Sequence, residues 1–155
     1  LNYVYSDNKM DVDGTVLLRA ENDVKGVICT SQIATGEENN FIVKVYGEKA
    51  GLKWEQENPN YLYLMEDQTP LRVLKPGHSY NSELSLDGTK LPPGHPEGIF
   101  DSMGNIYKGV AKAINKEAYD YGEFPTMIDG VRGMNFIEKA VESHKKGNIW
   151  MDIND

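Results

Sequence analysis

Three histidines, one cysteine and a scatter of carboxylates are the side chains here that can move a proton, attack an electrophile or hold a metal. His95 has the most pointed setting. It stands in LPPGHPEG, residues 91–98, with Pro92, Pro93 and Gly94 before it and Pro96 and Glu97 after it. Prolines fix φ and remove backbone donors, so the chain is stiff on both sides of the imidazole. Such a loop can aim the ring into a pocket, where it donates or accepts a hydrogen bond. The same residues can also be punctuation, with the histidine capping or packing at a loop-to-helix junction. His95 is the candidate substrate contact. Glu97 suits the positive end of a helix dipole.

The other groups read as structure. His144, beside Lys145 and Lys146 near a helix end, suits a solvated residue favourable to a helix C-terminus. His78 lies in a polar loop. Cys29, among Val27, Ile28 and Thr30, reads as a small buried hydrophobe rather than a nucleophile. Glu55 and Glu57 stand two apart in a strand pattern, the spacing that puts two acids on one face, as a hydrolase pair would need. Exposed acids on a wet face are the commoner outcome. No histidine has a second ligand at metal-site spacing, and neither GxGxxG nor GxxxxGK[ST] occurs. No metal is expected.

Two halves must position these residues. Residues 1–75 read as strands and turns: 14–20, 24–34, 41–47, 51–57, 61–66 and 70–75. Their close spacing favours one antiparallel meander, because parallel strands need long crossovers. Leu52 and Trp54 alternate with Lys53 and Glu55. Phe41, Val43 and Val45 oppose Ile42, Lys44 and Tyr46. Several strands thus carry apolar weight on both faces, one for helices to cover and one free to meet another subunit. Residues 76–94 form a long polar loop. From 95 to 155 the pattern turns helical, with Pro96 suited to a first helical position. Ile99, Met103, Ile106, Val110 and Ile114 make one stripe, and Val131, Met134, Ile137 and Val141 a second. Thr126 and Asp129 suit a capping box, Lys145–Gly147 a stop, and NIWMDI (148–153) a closing strand. The order implies an α+β fold.

Composition narrows the class. A length of 155 residues suits one domain. A net charge of −8 argues against non-specific nucleic-acid binding and against docking on anionic membrane. No apolar run approaches the ~18 to 20 residues of a bilayer span, and no signal peptide is visible. A single cysteine excludes an internal disulfide and fits a reducing, cytoplasmic setting. A start at LNYVYSDNKM, without methionine, suggests a processed product or an excised fragment.

LPPGHPEGIFDSMGNIYKGVAKAI and FPTMIDGVRGMNFIEKAVESHKKGNIWMDI resemble the C-terminal end of the Gfo/Idh/MocA family of NAD(P)-dependent oxidoreductases. TVLLRAENDVKGVICTSQIATG and VYGEKAGLKWEQENPNYLYL resemble its sheet segments, in order, so the likeness runs from about Asp13 to Asp155. The resemblance implies an open, mostly antiparallel sheet with helices on one face, of the glyceraldehyde-3-phosphate-dehydrogenase-like C-terminal type. It implies one substrate-binding and oligomerisation domain over 1–155. The family's glycine-rich nucleotide loop, Glu-Lys-Pro motif and Asp-x-x-x-His motif are not in these residues. No catalytic residue and no cofactor is therefore expected in this fragment, while the parent would use NAD or NADP on a sugar, polyol or related hydroxy compound. The family loop matched by PPGHPEG runs near the substrate pocket, which favours His95 as a sugar or polyol contact and makes Glu97 a weaker candidate, since its helix-end place already accounts for it. The rival expectation is a non-catalytic module that pairs through its sheet face.

Overall fold

The computed structural model describes residues 1, 10–119 and 122–153. Residues 2–9, within the strand-rich half, residues 120–121, and residues 154–155, the end of the family likeness, lie outside that description. Among the described residues, antiparallel sheets and three helices make an α+β fold, as the sequence pattern implies. The chain divides into two units, Leu1–Glu38 with Pro125–Asp155, and Asn39–Phe124.

The first unit holds a hairpin of β1 (Asp13–Arg19) and β2 (Lys25–Ser31), in register from Arg19 opposite Lys25 to Asp13 opposite Ser31. Asn22 and Asp23 turn the chain at φ 57 and 59, a left-handed region that short polar side chains tolerate. Cys29 lies opposite Thr15 on this hairpin and is exposed, not buried as its neighbours in sequence suggest. Its thiol lies 3.8 Å from the Thr15 hydroxyl across the hairpin.

The long helix of this unit spans Met127–Lys145 and is capped as its sequence implies. Asp129 accepts from the Thr126 N–H at 2.8 Å, and the Asp129 N–H donates to Thr126 Oγ1 at 3.4 Å. Gly147, at φ +88, takes the chain out of it.

In the second unit β3 (Ile42–Tyr46), β4 (Ala50–Glu55), β5 (Leu62–Glu66) and β6 (Arg72–Leu74) form one antiparallel sheet in chain order. Val43 opposes Trp54, and Val45 opposes Leu52, which opposes Leu64. Directly opposed residues share a face, so these form an apolar face. Ile42, Lys53 and Tyr63 lie on the other, where the Lys53 ammonium pairs with Glu55 at 2.6 Å and rides over the Tyr63 ring.

Among the described residues, the single meander expected from the strand spacing is thus two sheets. Residues 32–41 carry Gly36 at φ +93 and Glu38 at φ 47 and form no strand, so the ladder stops at Ser31 and restarts at Ile42.

The loop expected at 76–94 contains α1 (Glu83–Gly88), capped by the Ser82 hydroxyl, which accepts from the Ser85 N–H. The next helix, α2, spans Ile99–Ile114, with Asp101 accepting from the Gly98 N–H at 2.8 Å. The helix of the first unit is α3. Pro96 is therefore not at a first helical position, and Glu97 precedes the helix. Contacts described below hold it elsewhere.

The closing strand expected at 148–153 does not form. A strand needs a partner ladder. Here Ser143 Oγ donates to Ile149 O at 2.6 Å, and the Trp150 ring lies under the Arg19 guanidinium at 4.9 Å.

Among the described residues the fully buried ones are glycines, Gly14, Gly51 and Gly109, and no apolar side chain joins them. On α2, Ile106 and Val110 are half-covered while Ile99, Phe100 and Ile114 stay exposed. On α3 the stripe of Val131, Met134 and Ile137 is exposed.

Candidate functional site

The loop around His95 belongs to the second unit and is closed on itself. Glu97 Oε1 accepts from the backbone N–H of Lys90 at 2.5 Å and of Leu91 at 2.6 Å. Hydrogen bonds to an ionised acceptor are short and roughly twice as strong as neutral ones. The Glu97 backbone is held as well. Its N–H donates to Asn60 Oδ1 at 2.9 Å, and its carbonyl accepts from Asn60 Nδ2 at 2.8 Å. Asn60 stands in the β4–β5 connection, so one side chain reads both backbone groups of Glu97, as a strand partner would. Glu97 and Asn60 are half-buried, and the loop tip between the ties is exposed.

At that tip the His95 N–H donates to Pro92 O at 3.1 Å, closing a tight turn that passes through Gly94 at φ +89. His95 Nδ1 lies 3.1 Å from the same oxygen. A carbonyl only accepts, so the contact assigns the proton to Nδ1. In the neutral ring Nε2 is then an acceptor. Pro93 rests on Gly77, whose φ is +77. A Cβ there would stand 3.2 Å from the Pro93 nitrogen, so glycine lets the loop sit against the Pro76–Gly77 bend.

A cavity of about 140 Å³ adjoins this bend, lined in part by Asn60, Leu62, Leu74, Lys75, Asn81 and Ser85. Asn60 is therefore common to the cavity wall and the loop tie. The bend itself is fixed by Tyr80, whose hydroxyl accepts from the Lys75 N–H, and by Asn81, which donates to Lys75 O at 2.7 Å. His78 stacks on Tyr80 with ring centroids 5.1 Å apart.

The two sequence candidates thus share one loop but face different ways. His95 is exposed at the tip, and Glu97 turns inward onto backbone. Asn60 was not singled out from the sequence. Its partner lies 37 residues away, and no local pattern marks it. The hydrolase pair does not assemble on one strand face. β4 ends at Glu55, before Glu57, and Glu55 is engaged by Lys53. The Glu55 hydrogen bond raises the Lys53 ammonium above the usual lysine value, against an opposing effect of desolvation. Trp54 is likewise occupied. Its Nε1–H donates to Pro59 O at 3.0 Å and its ring meets Phe41 edge-on. Among the described residues no three of His, Cys, Asp and Glu gather as metal ligands.

Comparison with known proteins supplies a frame for this geometry. Residues 10–153 match the model of the oxidoreductase family, C-terminal alpha/beta domain, of the Gfo/Idh/MocA group. An uncharacterised oxidoreductase of Bacillus subtilis, YfiI, is 27% identical over 158 residues, covering 98% of this chain and 40% of its own length. The crystal structure of an oxidoreductase from Sinorhizobium meliloti superposes with a TM-score of 0.89 at 35% identity, over 98% of this chain and 44% of that one. An inositol dehydrogenase homologue from Azotobacter vinelandii, solved with NADH and myo-inositol, superposes with a TM-score of 0.76 at 25% identity, over 92% of this chain and 39% of that one. This chain belongs to the Gfo/Idh/MocA oxidoreductase family as its C-terminal alpha/beta domain, and spans about two fifths of the length of these relatives.

Proposed function

From that membership, we propose that this chain is the substrate-binding and assembly part of an NAD(P)-dependent oxidoreductase acting on a sugar, polyol or related hydroxy compound. The family match across residues 10–153 is the observation that carries the reading. The nicotinamide, bound outside this chain, supplies the redox chemistry. These residues contain no glycine-rich phosphate loop, so they do not fit the role of dinucleotide holder. Their part is to bind and orient the hydroxylated ligand.

His95 is the contact we assign to that ligand. A rigid loop exposes its ring, and Nε2 is directed to accept from a hydroxyl. Two features support an assembly role. Val43 and Val45 remain exposed on one face of the β3–β6 sheet, with Phe41 exposed just before β3, and α3 carries an exposed apolar stripe. A second copy of the protein is the proposed occupant of the sheet face. None of the described helices is long and apolar enough to cross a membrane. We place the protein in the cytoplasm, as its single cysteine suggests.

The test is NAD(P)-dependent oxidation of a polyol panel by the full-length protein, with His95→Ala beside it. The expected result is turnover, and a Michaelis constant raised about tenfold in the variant with its fold intact. No turnover on any hydroxylated substrate with either nucleotide would end the oxidoreductase reading. The alternative, a non-catalytic assembly module, would then be judged by light scattering, where a dimer or larger supports it.

A further inference from the structure

We infer that Glu97 and Asn60 are positioning residues whose closed loop fixes His95 in the tautomer protonated at Nδ1, so that this site selects ligands that donate a hydrogen bond. The inference rests on the reading of His95 as a ligand contact and adds what that contact demands of the ligand.

The loop from Lys90 to Glu97 has few donors with which to hold itself, since Pro92, Pro93 and Pro96 have no N–H. Two of those it does have, at Lys90 and Leu91, both go to Glu97 Oε1. A third, at His95, goes to Pro92 O, the same oxygen that faces Nδ1. The place of Pro92 O is thus set by a ring of contacts whose base is the Glu97 carboxylate. The paired bonds of Glu97 to Asn60 fix that base to the β4–β5 connection.

With the base closed, the ring keeps Nδ1 on Pro92 O and presents Nε2 as an acceptor. A ligand hydroxyl meets it well. A carbonyl, carboxylate or phosphate oxygen brings no hydrogen and leaves two acceptors opposed. With the base open, the Pro92–His95 turn loses its frame. The neutral ring is then free to carry its proton at Nε2 and prefer the opposite class of ligand.

The experiment is a long-range ¹H–¹⁵N spectrum of the full-length protein labelled at histidine, with His95 assigned by the signal lost in His95→Ala. The expected wild-type pattern, with the ring neutral, is the Nδ1–H tautomer. Glu97→Ala should give a mixture of tautomers. Glu97→Gln should restore the wild-type pattern, because its amide oxygen still accepts from both N–H groups. That rescue separates positioning from simple loss of fold. An Nε2–H tautomer in the wild type, or a Glu97→Ala spectrum identical to it, overturns the inference.

Kinetics on the preferred polyol add a second reading. Glu97→Ala should raise the Michaelis constant about threefold with little change in turnover, and the double variant should be no worse than His95→Ala alone. Additive losses would show Glu97 acting independently of His95 and would overturn its positioning role. If His95→Ala leaves the Michaelis constant unchanged, the ligand-contact reading falls and ligand selection falls with it. The spectrum still decides the tautomer lock.

Discussion

The Lys90–Glu97 loop and the 148–153 segment are both irregular chain, yet they are held in opposite ways. The loop carries two local fastenings, a carboxylate on two backbone donors and a turn closed at Pro92 O, and one distant one, Asn60 of the β4–β5 connection on both backbone groups of Glu97. The closing segment has a strand-like sequence, and its ties include the Asn148 N–H on Ser143 O at 2.7 Å, the Ser143 hydroxyl on Ile149 O and the Arg19 guanidinium over Trp150. Short-range polar ties form wherever the donors and acceptors are local. A strand must wait for a neighbour to lay down a ladder, and β-type residues alone do not summon one.

Four measurements test that contrast. Glu97→Ala should have the largest effect, about 2 kcal/mol by denaturant unfolding, with loss of exchange protection at the Lys90 and Leu91 amides. If those amides stay protected, the prolines alone hold the loop. Gly77→Ala follows at about 1 kcal/mol, because alanine dislikes φ +77 and its Cβ would press on Pro93. Trp150→Ala should cost only about 0.5 to 1 kcal/mol in thermal unfolding, the worth of an exposed cation–π contact. A larger loss would mean that Trp150 anchors the segment by more than this cation–π contact.

The smallest effect lies just before that segment. The hydrogen bond from Lys146, at 2.6 Å, and the charges of Lys146 and Lys139 hold the Glu142 carboxyl below the usual range. A depressed carboxyl stabilises the fold above its unfolded value near ~4.3, and that contribution is lost as pH falls through the folded value. The melting temperature of Glu142→Gln should therefore fall slightly less than wild type on acidification from about pH 6 to about pH 3.

Sequence reasoning succeeded where the determinant is local. The Thr126–Asp129 cap, the Gly147 stop and the turn at Asn22–Asp23 are each read within a few residues, and each forms. The alternation of Val43 and Val45, and of Leu52 and Trp54, reports its sheet face correctly. Reading failed where the outcome depends on a distant partner. Pro96 looked like a helix start because nothing nearby shows that Asn60 will take Glu97 out of the helix. Residues 148–153 alternate like a strand, but alternation does not supply a ladder, and among the described residues none pairs with them. The small helix α1 was legible in principle, through Ser82 before Glu83, but a polar loop composition concealed it.

The three buried glycines bear on anyone who would engineer this chain. Replacing helix glycines by alanine is a common route to stability, worth up to ~1 kcal/mol at a compatible site. At Gly104, Gly130 and Gly133 an added methyl meets nothing within 4 Å among the described residues, so the rule should hold. At Gly109 the same methyl would stand 2.8 Å from Glu123 Cβ and 2.9 Å from Phe124 Cδ1, where the chain returns across α2. There the usual gain changes sign, and a consensus-style redesign that treats the four positions alike would undo with one substitution what it achieved with three.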